Sequence, residues 1–114
     1  MIVEERIYTL KVGKAPEYLK IYEQEGMAVQ GPILGGFLGY FATEVGPLNT
    51  VVHLWAYEDH AERARRRAQL QADPRWRAFL PKLAALIERQ ENRILTPASF
   101  WEPALRAMLA ARPK

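Results

Sequence analysis

The residues best suited to chemistry lie on one strand-like segment, Val51–Tyr57, in which two kinds of side chain alternate. A strand places residues i and i+2 on the same face. One face therefore carries His53, Trp55 and Tyr57, and the other carries small apolar residues. An imidazole with an ordinary pKa near ~6.5 can take or give a proton near neutral pH. We interpret His53 as a candidate acid/base, with ligand contact and a structural hydrogen bond as the alternatives.

A second set of polar side chains lies on the first predicted strand. Arg6 and Tyr8 share a face with Glu4, and a guanidinium group can bind a carboxylate through two hydrogen bonds. Together with Trp55 and Tyr57, Arg6 and Tyr8 predict a ligand site for a small aromatic or carboxylated molecule. The alternative is a buried Glu4–Arg6 ion pair that only organises an interface.

The elements that must position these residues follow from hydrophobic periodicity and turn signals. The sequence predicts strands over 2–10, 37–44, 50–57 and 87–95, and helices over 16–27, 59–72 and 75–83. Gly31-Pro32 and Gly35-Gly36 are expected to break the chain after the first helix, and Gly46–Asn49 predicts a hairpin. This order, β-α-β-β-α-β, predicts an α+β, ferredoxin-like fold with an antiparallel sheet and both helices on one face.

The other face of such a sheet is open. The small apolar residues of the third strand suit the helix side, so His53, Trp55 and Tyr57 are expected on the open face. By the same alternation, Phe37 and Phe41 are expected to share a face of the second strand. An exposed aromatic face needs a partner, and a symmetric homodimer supplies one. An interaction protein with a purely structural dimer face is therefore one alternative function.

Composition limits the other possibilities. The chain has 114 residues, a net charge of +3 and no cysteine. One domain is predicted over residues 1–100, followed by a tail over 101–114 with a short helix. Two histidines and no thiolate predict neither a metal site nor a cofactor.

No apolar run approaches the ~20 residues that cross a bilayer, and the N-terminus does not resemble a signal peptide. A cytoplasmic protein without membrane contact is expected.

The basic residues concentrate at Arg63, Arg65, Arg66 and Arg67. Three consecutive helical positions point around most of the circumference, so we interpret this run as a solvated helix surface.

The segment Gly36–Phe41 has some similarity to the RNP1 string of RNA-recognition domains, but it lies on the second predicted strand and lacks the leading basic residue. No nucleic-acid partner is predicted.

Five segments carry a further signal when they are taken in order: Glu4-x-Arg6-x-Tyr8-Thr9-Leu10-Lys11-x-Gly13, Gly46-Pro47-Leu48-Asn49-x-Val51-x-His53-Leu54-Trp55-x-Tyr57, Ala64-Arg65-Arg66-Arg67, Asp73-Pro74-x-Trp76 and Gln90-Glu91-Asn92-Arg93-Ile94-Leu95. Together they resemble the signatures of the NIPSNAP family over residues 2–100. The resemblance implies the dimeric α/β-barrel superfamily, in which two ferredoxin-like subunits pair their sheets. Wider relatives in that superfamily include cofactor-independent monooxygenases and isomerases.

The lead hypothesis is a NIPSNAP-like homodimer that binds a small apolar or aromatic molecule in a cleft by the sheet. Its ligand contacts would be Arg6, Tyr8, Trp55 and Tyr57. The enzymatic alternative is a cofactor-independent monooxygenase or isomerase with His53 as acid/base. Because one fold hosts many functions, that alternative is a fold-level analogy.

Overall fold

The computed structural model describes residues 1–111. Its strands are β1 (Ile2–Leu10), β2 (Gly36–Ala42), β3 (Thr50–Tyr57) and β4 (Ile87–Leu95). Its helices are α1 (Ala15–Ile21), α2 (Met27–Leu34), α3 (His60–Ala72), α4 (Pro74–Ala84) and α5 (Glu102–Ala110), with a π-helical segment, Tyr22–Gly26, joining α1 to α2. Residues 112–114 of the predicted tail lie outside the described range.

The four strands form one antiparallel sheet in the order β2-β3-β1-β4. The predicted α+β, ferredoxin-like topology is therefore confirmed. Because β1 lies between β3 and β4, its polar residues have neighbours on both sides. The register places Glu4 opposite Trp55 and Arg6 opposite His53, so side chains from the two strands share one face.

Local signals set the start of both helices that follow β3. The backbone N–H of Glu62 donates to Asp59 Oδ1 at 2.8 Å, which caps α3. The N–H of Arg75 donates to Asp73 Oδ1 at 2.8 Å at the start of α4. A side-chain oxygen at this position satisfies a backbone donor that has no partner inside the helix. The predicted helix start at Asp59 is confirmed.

The predicted break at Gly31-Pro32 is wrong. Helix α2 continues through both residues to Leu34. Gly35 follows as its C-terminal cap, with a φ of 88° and a backbone N–H that donates to the carbonyl of Gly31. A proline inside a helix removes one backbone hydrogen bond. Here the following residues, Ile33 and Leu34, are buried in the core, and their burial offsets that loss.

The expectation that His53, Trp55 and Tyr57 lie on the open face is also wrong. Their exposed fractions are 1%, 0% and 2%, and they pack between the sheet and the helices. Val52 and Leu54 lie on the opposite face and are only half-buried. The predicted alternation is present, but the aromatic and polar face lies against the helices, and the face with Val52 and Leu54 is the open one. Large aromatic side chains bury the most surface, and the layer beneath the helices is where they find partners on all sides.

The second strand departs from simple alternation for a local reason. The pairing between β2 and β3 shifts between Phe37 and Gly39, which is a β-bulge. A bulge inserts one residue and reverses the facing of the side chains beyond it. Phe37 and Tyr40 therefore lie together on the helix side, and Phe41 lies on the open face. The expectation that Phe37 and Phe41 share a face is wrong.

The open face of the sheet is partly covered by α5. Leu105 and Met108 of that helix border an apolar groove of about 360 Å³ whose floor includes Val3, Leu38 and Leu54. The remainder of this face has no cover within residues 1–111. Among those residues, no helix is both long enough and apolar enough to cross a membrane.

Candidate functional site

The site begins with a carboxylate that is fully buried, that of Glu4. Arg63 of α3 donates to Glu4 through Nε (3.1 Å) and Nη2 (2.7 Å). Arg6 Nη1 (3.0 Å) and Asn92 Nδ2 (2.8 Å) also donate to Glu4 Oε2. Burial acts against the charged form, but the hydrogen bonds and the nearby positive charges outweigh it and lower the pKa of Glu4 to about 2. Glu4 is therefore ionised at neutral pH.

Arg6 connects this ion-pair network to an aromatic cluster. Its Nε donates to the hydroxyl of Tyr8 at 2.8 Å, and its guanidinium lies 5.5 Å from the centre of the Tyr8 ring. The Tyr8 ring in turn meets His53 edge-on, with ring centres 4.9 Å apart. The predicted Glu4–Arg6 ion pair exists, but it lies beneath the helices.

His53 is held by two neighbours within the buried layer. Trp55 Nε1 donates to His53 Nδ1 at 2.7 Å, and the Tyr40 ring stacks on the imidazole at 4.5 Å with an angle of 4°. Because Nδ1 accepts a hydrogen bond, the neutral ring carries its proton on Nε2. Burial and the charge of Arg6 lower the pKa of His53 to about 3. At neutral pH, His53 therefore presents an uncharged N–H donor.

Three further tyrosine rings, those of Tyr18, Tyr22 and Tyr40, pack together beside His53. The hydroxyls of Tyr18 and Tyr40 hydrogen-bond at 2.5 Å, and Tyr22 donates to Gln30 Oε1 at 2.7 Å. Burial raises the pKa of all three phenols. All three phenols are therefore uncharged at neutral pH.

A cavity of about 30 Å³ lies within this cluster. Its lining includes Tyr8, Tyr18, Tyr40, His53, Trp76 and Gln90. Neither His53 Nε2 nor Trp76 Nε1 has a hydrogen-bond partner within residues 1–111, and both atoms are buried. A site of roughly 10–15 Å³ can hold one water, so the cavity accommodates one or two oxygen-sized atoms. Two lining residues with unpaired N–H groups favour an acceptor oxygen as occupant.

This cavity adjoins an open groove between α4 and β4. The groove has a volume of about 250 Å³ and shares three wall residues with the cavity: Leu80, Ile87 and Gln90. Leu80 and Ile87 are half-buried and Gln90 is exposed. An entering molecule would therefore pass these three side chains, and its body would lie in the groove.

A larger open cleft, about 720 Å³, lies elsewhere beside the sheet. Its lining includes Phe37, Tyr57 and Arg66. Arg66 already donates to Glu62 and to the Ile33 carbonyl. Neither of the two unpaired N–H donors described above belongs to this cleft. We therefore place the candidate site at the smaller cavity, despite its size.

The structure brings four of the five predicted site residues together. Arg6, Tyr8, His53 and Trp55 form one chain of contacts, in which Tyr8 and His53 line the cavity and Arg6 and Trp55 position them. Tyr57 is buried but lines the larger cleft.

Sequence reasoning missed two contributions from the helices. Trp76 of α4 is buried, and its indole N–H has no hydrogen-bond partner within residues 1–111. Arg63 and Arg67 were assigned to a solvated surface, which is wrong: Arg63 pairs with the buried Glu4, and Arg67 Nη1 is itself buried. Their spacing of four residues places both on one helix face, and that was the available signal.

The fold and the site together define a class of protein: a ferredoxin-like α+β chain with a buried histidine in an aromatic layer. The same fold occurs in an antibiotic biosynthesis monooxygenase of known structure, with 14% identity and a TM-score of 0.61 over 86% of this chain and 99% of that chain. At that identity, the likeness shows the fold alone.

Closer comparisons give the family. The NIPSNAP family model matches residues 3–102. A NIPSNAP family protein from Agrobacterium tumefaciens is 55% identical, with a TM-score of 0.85 over 87% of this chain and 94% of that chain. The human protein NipSnap homolog 3A is 37% identical over 93 residues, which cover 80% of this chain but only 37% of the human protein. The chain belongs to the NIPSNAP family.

Proposed function

We propose that this protein binds a small molecule that has an acceptor oxygen on an aromatic or apolar body. The oxygen enters the cavity between the sheet and the helices, where His53 Nε2–H and Trp76 Nε1–H donate to it. The observation that carries this proposal is that two residues lining one cavity, His53 and Trp76, each have a buried N–H without a hydrogen-bond partner within residues 1–111. Buried donors in folded proteins are almost always paired, so two together point to a missing partner.

The size of the cavity restricts the ligand. About 30 Å³ admits an oxygen and its attached atom but no ring. The ring or alkyl body must therefore lie in the groove between α4 and β4. Aldehydes, ketones and carboxylic acids have this shape. Trp55 and Arg6 act indirectly, because Trp55 keeps the proton of His53 on Nε2 and Arg6 holds Tyr8.

Native mass spectrometry of the freshly purified protein is the first test, since a retained ligand would appear as added mass. Titration with benzaldehyde then tests the oxygen site, with toluene as the matched compound that lacks an acceptor. Trp76→Phe removes one N–H and keeps the aromatic body. Losing one hydrogen bond should weaken benzaldehyde binding about 2- to 10-fold.

The control for this titration is Trp101→Phe, because Trp101 is an exposed tryptophan outside the cavity. Its benzaldehyde affinity should equal that of the wild type. Equal binding of toluene and benzaldehyde, or an unchanged affinity in Trp76→Phe, would contradict the oxygen site. If neither compound binds and no ligand is retained, the proposal is wrong.

The alternative that the protein is a monooxygenase or isomerase stays a prediction, and the buried position of His53 restricts the role that its imidazole can have. A ring that is already protonated at Nε2 and accepts at Nδ1 cannot act as a base at neutral pH without rearrangement. It can instead donate a hydrogen bond to an oxygen that becomes negative in the transition state, a common source of catalysis. A monooxygenase or isomerase would therefore use His53 as an uncharged donor.

We also propose that the protein is a homodimer that pairs through its open sheet face. Trp55 cannot contribute to this interface, because it is buried in the core. The open face instead presents Phe41, which is 56% exposed, beside Val52 and Ile7. A contiguous apolar surface of this kind is typical of a protein interface. A cytoplasmic location also stays a prediction.

A further inference from the structure

The open cleft of about 720 Å³ beside the sheet has no part in the oxygen site, because the cleft and the small cavity share no lining residue within residues 1–111. Its walls come from the ends of α2, β3 and α5, from the beginning of β2 and from the first half of α3. Small-molecule sites in proteins have volumes of roughly 300–1,000 Å³ and mostly apolar walls with a few polar groups. The cleft has the size and the kind of lining that a second ligand needs.

Phe37 gives the cleft an aromatic wall. Its ring stacks on the fully buried Trp55, with ring centres 4.3 Å apart and an angle of 23°. Phe37 is only half-buried and lines the cleft, whereas Trp55 does not line it. Pro32 of α2 and Leu109 of α5 add apolar groups to the lining. Because aromatic rings favour offset stacking, a flat ring in the cleft would extend the stack of Trp55 and Phe37.

The charged side chains of the cleft compensate one another. Arg66 donates from Nε to Glu62 at 2.8 Å, and Glu58 accepts two hydrogen bonds from Arg106 of α5, at 2.8 and 3.1 Å. An anionic ligand would meet the two carboxylates, and a cationic ligand would meet the guanidinium of Arg66. Like charges placed together at an interface are unfavourable. The lining therefore favours a ligand without charge.

We propose that this cleft binds an uncharged aromatic molecule, whose ring stacks on the open part of Phe37. Helix α5 forms one wall of the site through Leu109 and Ala110, and the ion pair between Arg106 and Glu58 holds that wall in place. The ligand needs no acceptor oxygen, in contrast to the ligand of the small cavity. Because the two sites are separate, the protein has room for both ligands at once.

Fluorescence titration of the full chain with N-phenyl-1-naphthylamine tests this site, since this uncharged aromatic probe becomes bright when it leaves water. The matched compound is 8-anilinonaphthalene-1-sulfonate, which has the same rings and a negative charge. The wild type should bind the uncharged probe saturably and the sulfonate about 10-fold or more weakly. Saturating benzaldehyde should leave the binding of the uncharged probe unchanged.

Pro32→Phe places a ring at the cleft and should weaken the binding of the uncharged probe about 10-fold or more, because the probe loses buried apolar contact. The change does not disrupt the helix, since Pro32 is an exposed proline inside α2 that lacks the N–H of other residues. Pro81→Phe is the matched control. Pro81 is an exposed proline inside α4 and does not line the cleft, so this variant should bind like the wild type.

Ala110→Phe provides a second variant from α5, in case the new ring at position 32 turns towards solvent. It should weaken binding in the same way, and Ala107→Phe, at an exposed position of the same helix outside the lining, is its control. Wild-type affinity in both Pro32→Phe and Ala110→Phe would locate the probe on another apolar surface and overturn the proposal. So would a wild type that does not bind the uncharged probe, equal losses in the controls, or equal affinity for the two probes.

Displacement of the uncharged probe by benzaldehyde would also overturn the proposal, because it would show one site instead of two. The test does not require that benzaldehyde binds. The oxygen site can therefore fail while the cleft is confirmed, and the cleft can fail while the oxygen site is confirmed.

Discussion

Glu4 and His53 are buried in the same layer, yet only Glu4 is charged at neutral pH. Burial acts against the charged form of both. Hydrogen bonds from Arg63 and Asn92 compensate Glu4 and help lower its pKa to about 2. His53 instead lies opposite Arg6, whose charge adds to the effect of burial and lowers the imidazole pKa to about 3. The same neighbouring cation therefore favours a charged glutamate and a neutral histidine.

Glu4→Gln should destabilise the protein at pH 7, because it removes the charge that compensates Arg6 and Arg63. The folded-state pKa of Glu4 is about 2, against an ordinary value of 4.5. The shift corresponds to about 3 kcal/mol of unfolding free energy. Because the folded-state pKa is the lower one, this contribution is complete above pH 4.5 and declines as the pH falls towards 2. Urea denaturation at pH 7 and pH 3 measures it.

The control for this measurement is Glu5→Gln. Glu5 pairs with an exposed Arg93 across the open face, and such pairs contribute about 1 kcal/mol or less. More than half of the Glu4→Gln deficit should disappear at pH 3. A deficit that persists unchanged at pH 3, or an equal deficit in Glu5→Gln at pH 7, would show that the Glu4 charge is not responsible.

At the scale of elements, the bulge in β2 decides what His53 and Trp55 contact. It brings Phe37 onto Trp55, with ring centres 4.3 Å apart, and Tyr40 onto His53. Gly36 begins the strand at a very close approach to β3. A Cβ atom there would lie 2.1 Å from the carbonyl oxygen of Ala56. Only glycine permits β2 to start in this position.

Gly36→Ala should therefore weaken the pairing of β2 with β3. The clash is with backbone, which cannot move aside cheaply, and the expected loss is about 1–3 kcal/mol of unfolding free energy. Gly31→Ala is the control, because a Cβ at Gly31 meets nothing closer than 3.9 Å and alanine favours the helix by about 0.5–1 kcal/mol. Urea denaturation should show opposite changes in the two variants. A neutral Gly36→Ala would show that the close approach is not required.

At the scale of the whole molecule, the unpaired sheet face remains to be covered. α5 protects one end of it, and charged residues of β4 border it, with Arg93 paired to Glu5 and Arg89 paired to Glu91. The apolar part between these borders includes Phe41. A second copy of the chain would cover this part and exclude its apolar groups from water.

Phe41→Arg should convert the proposed dimer into a monomer, because it places a charge on the apolar surface that would pair. Sedimentation velocity measures the mass of each species. Val12→Arg is the control, since Val12 is 84% exposed in the loop after β1 and should leave the dimer intact. A monomeric wild type, or a dimer that survives Phe41→Arg, would contradict pairing through this face.

Much of the fold could be predicted because its signals are local. Alternation identified β1, β3 and β4 with their observed bounds. The predicted helix start at residue 59 lies within one residue of the start of α3. The clustering of Arg6, Tyr8, His53 and Trp55 also followed from strand order and alternation. The bulge in β2 could not be read in the same way, because an inserted residue leaves no periodic signal.

The sequence by itself determined the topology, the family and the polar and aromatic character of one strand face. Only the tertiary structure decided that this face, with His53, turns towards the helices. Alternation defines two faces but is identical in either orientation, and the choice depends on residues far along the chain. Trp76 and Arg63 reach the layer from α4 and α3, and Glu4 can remain charged there because Arg63 compensates it. Packing and charge compensation therefore selected the orientation that makes this layer the candidate site.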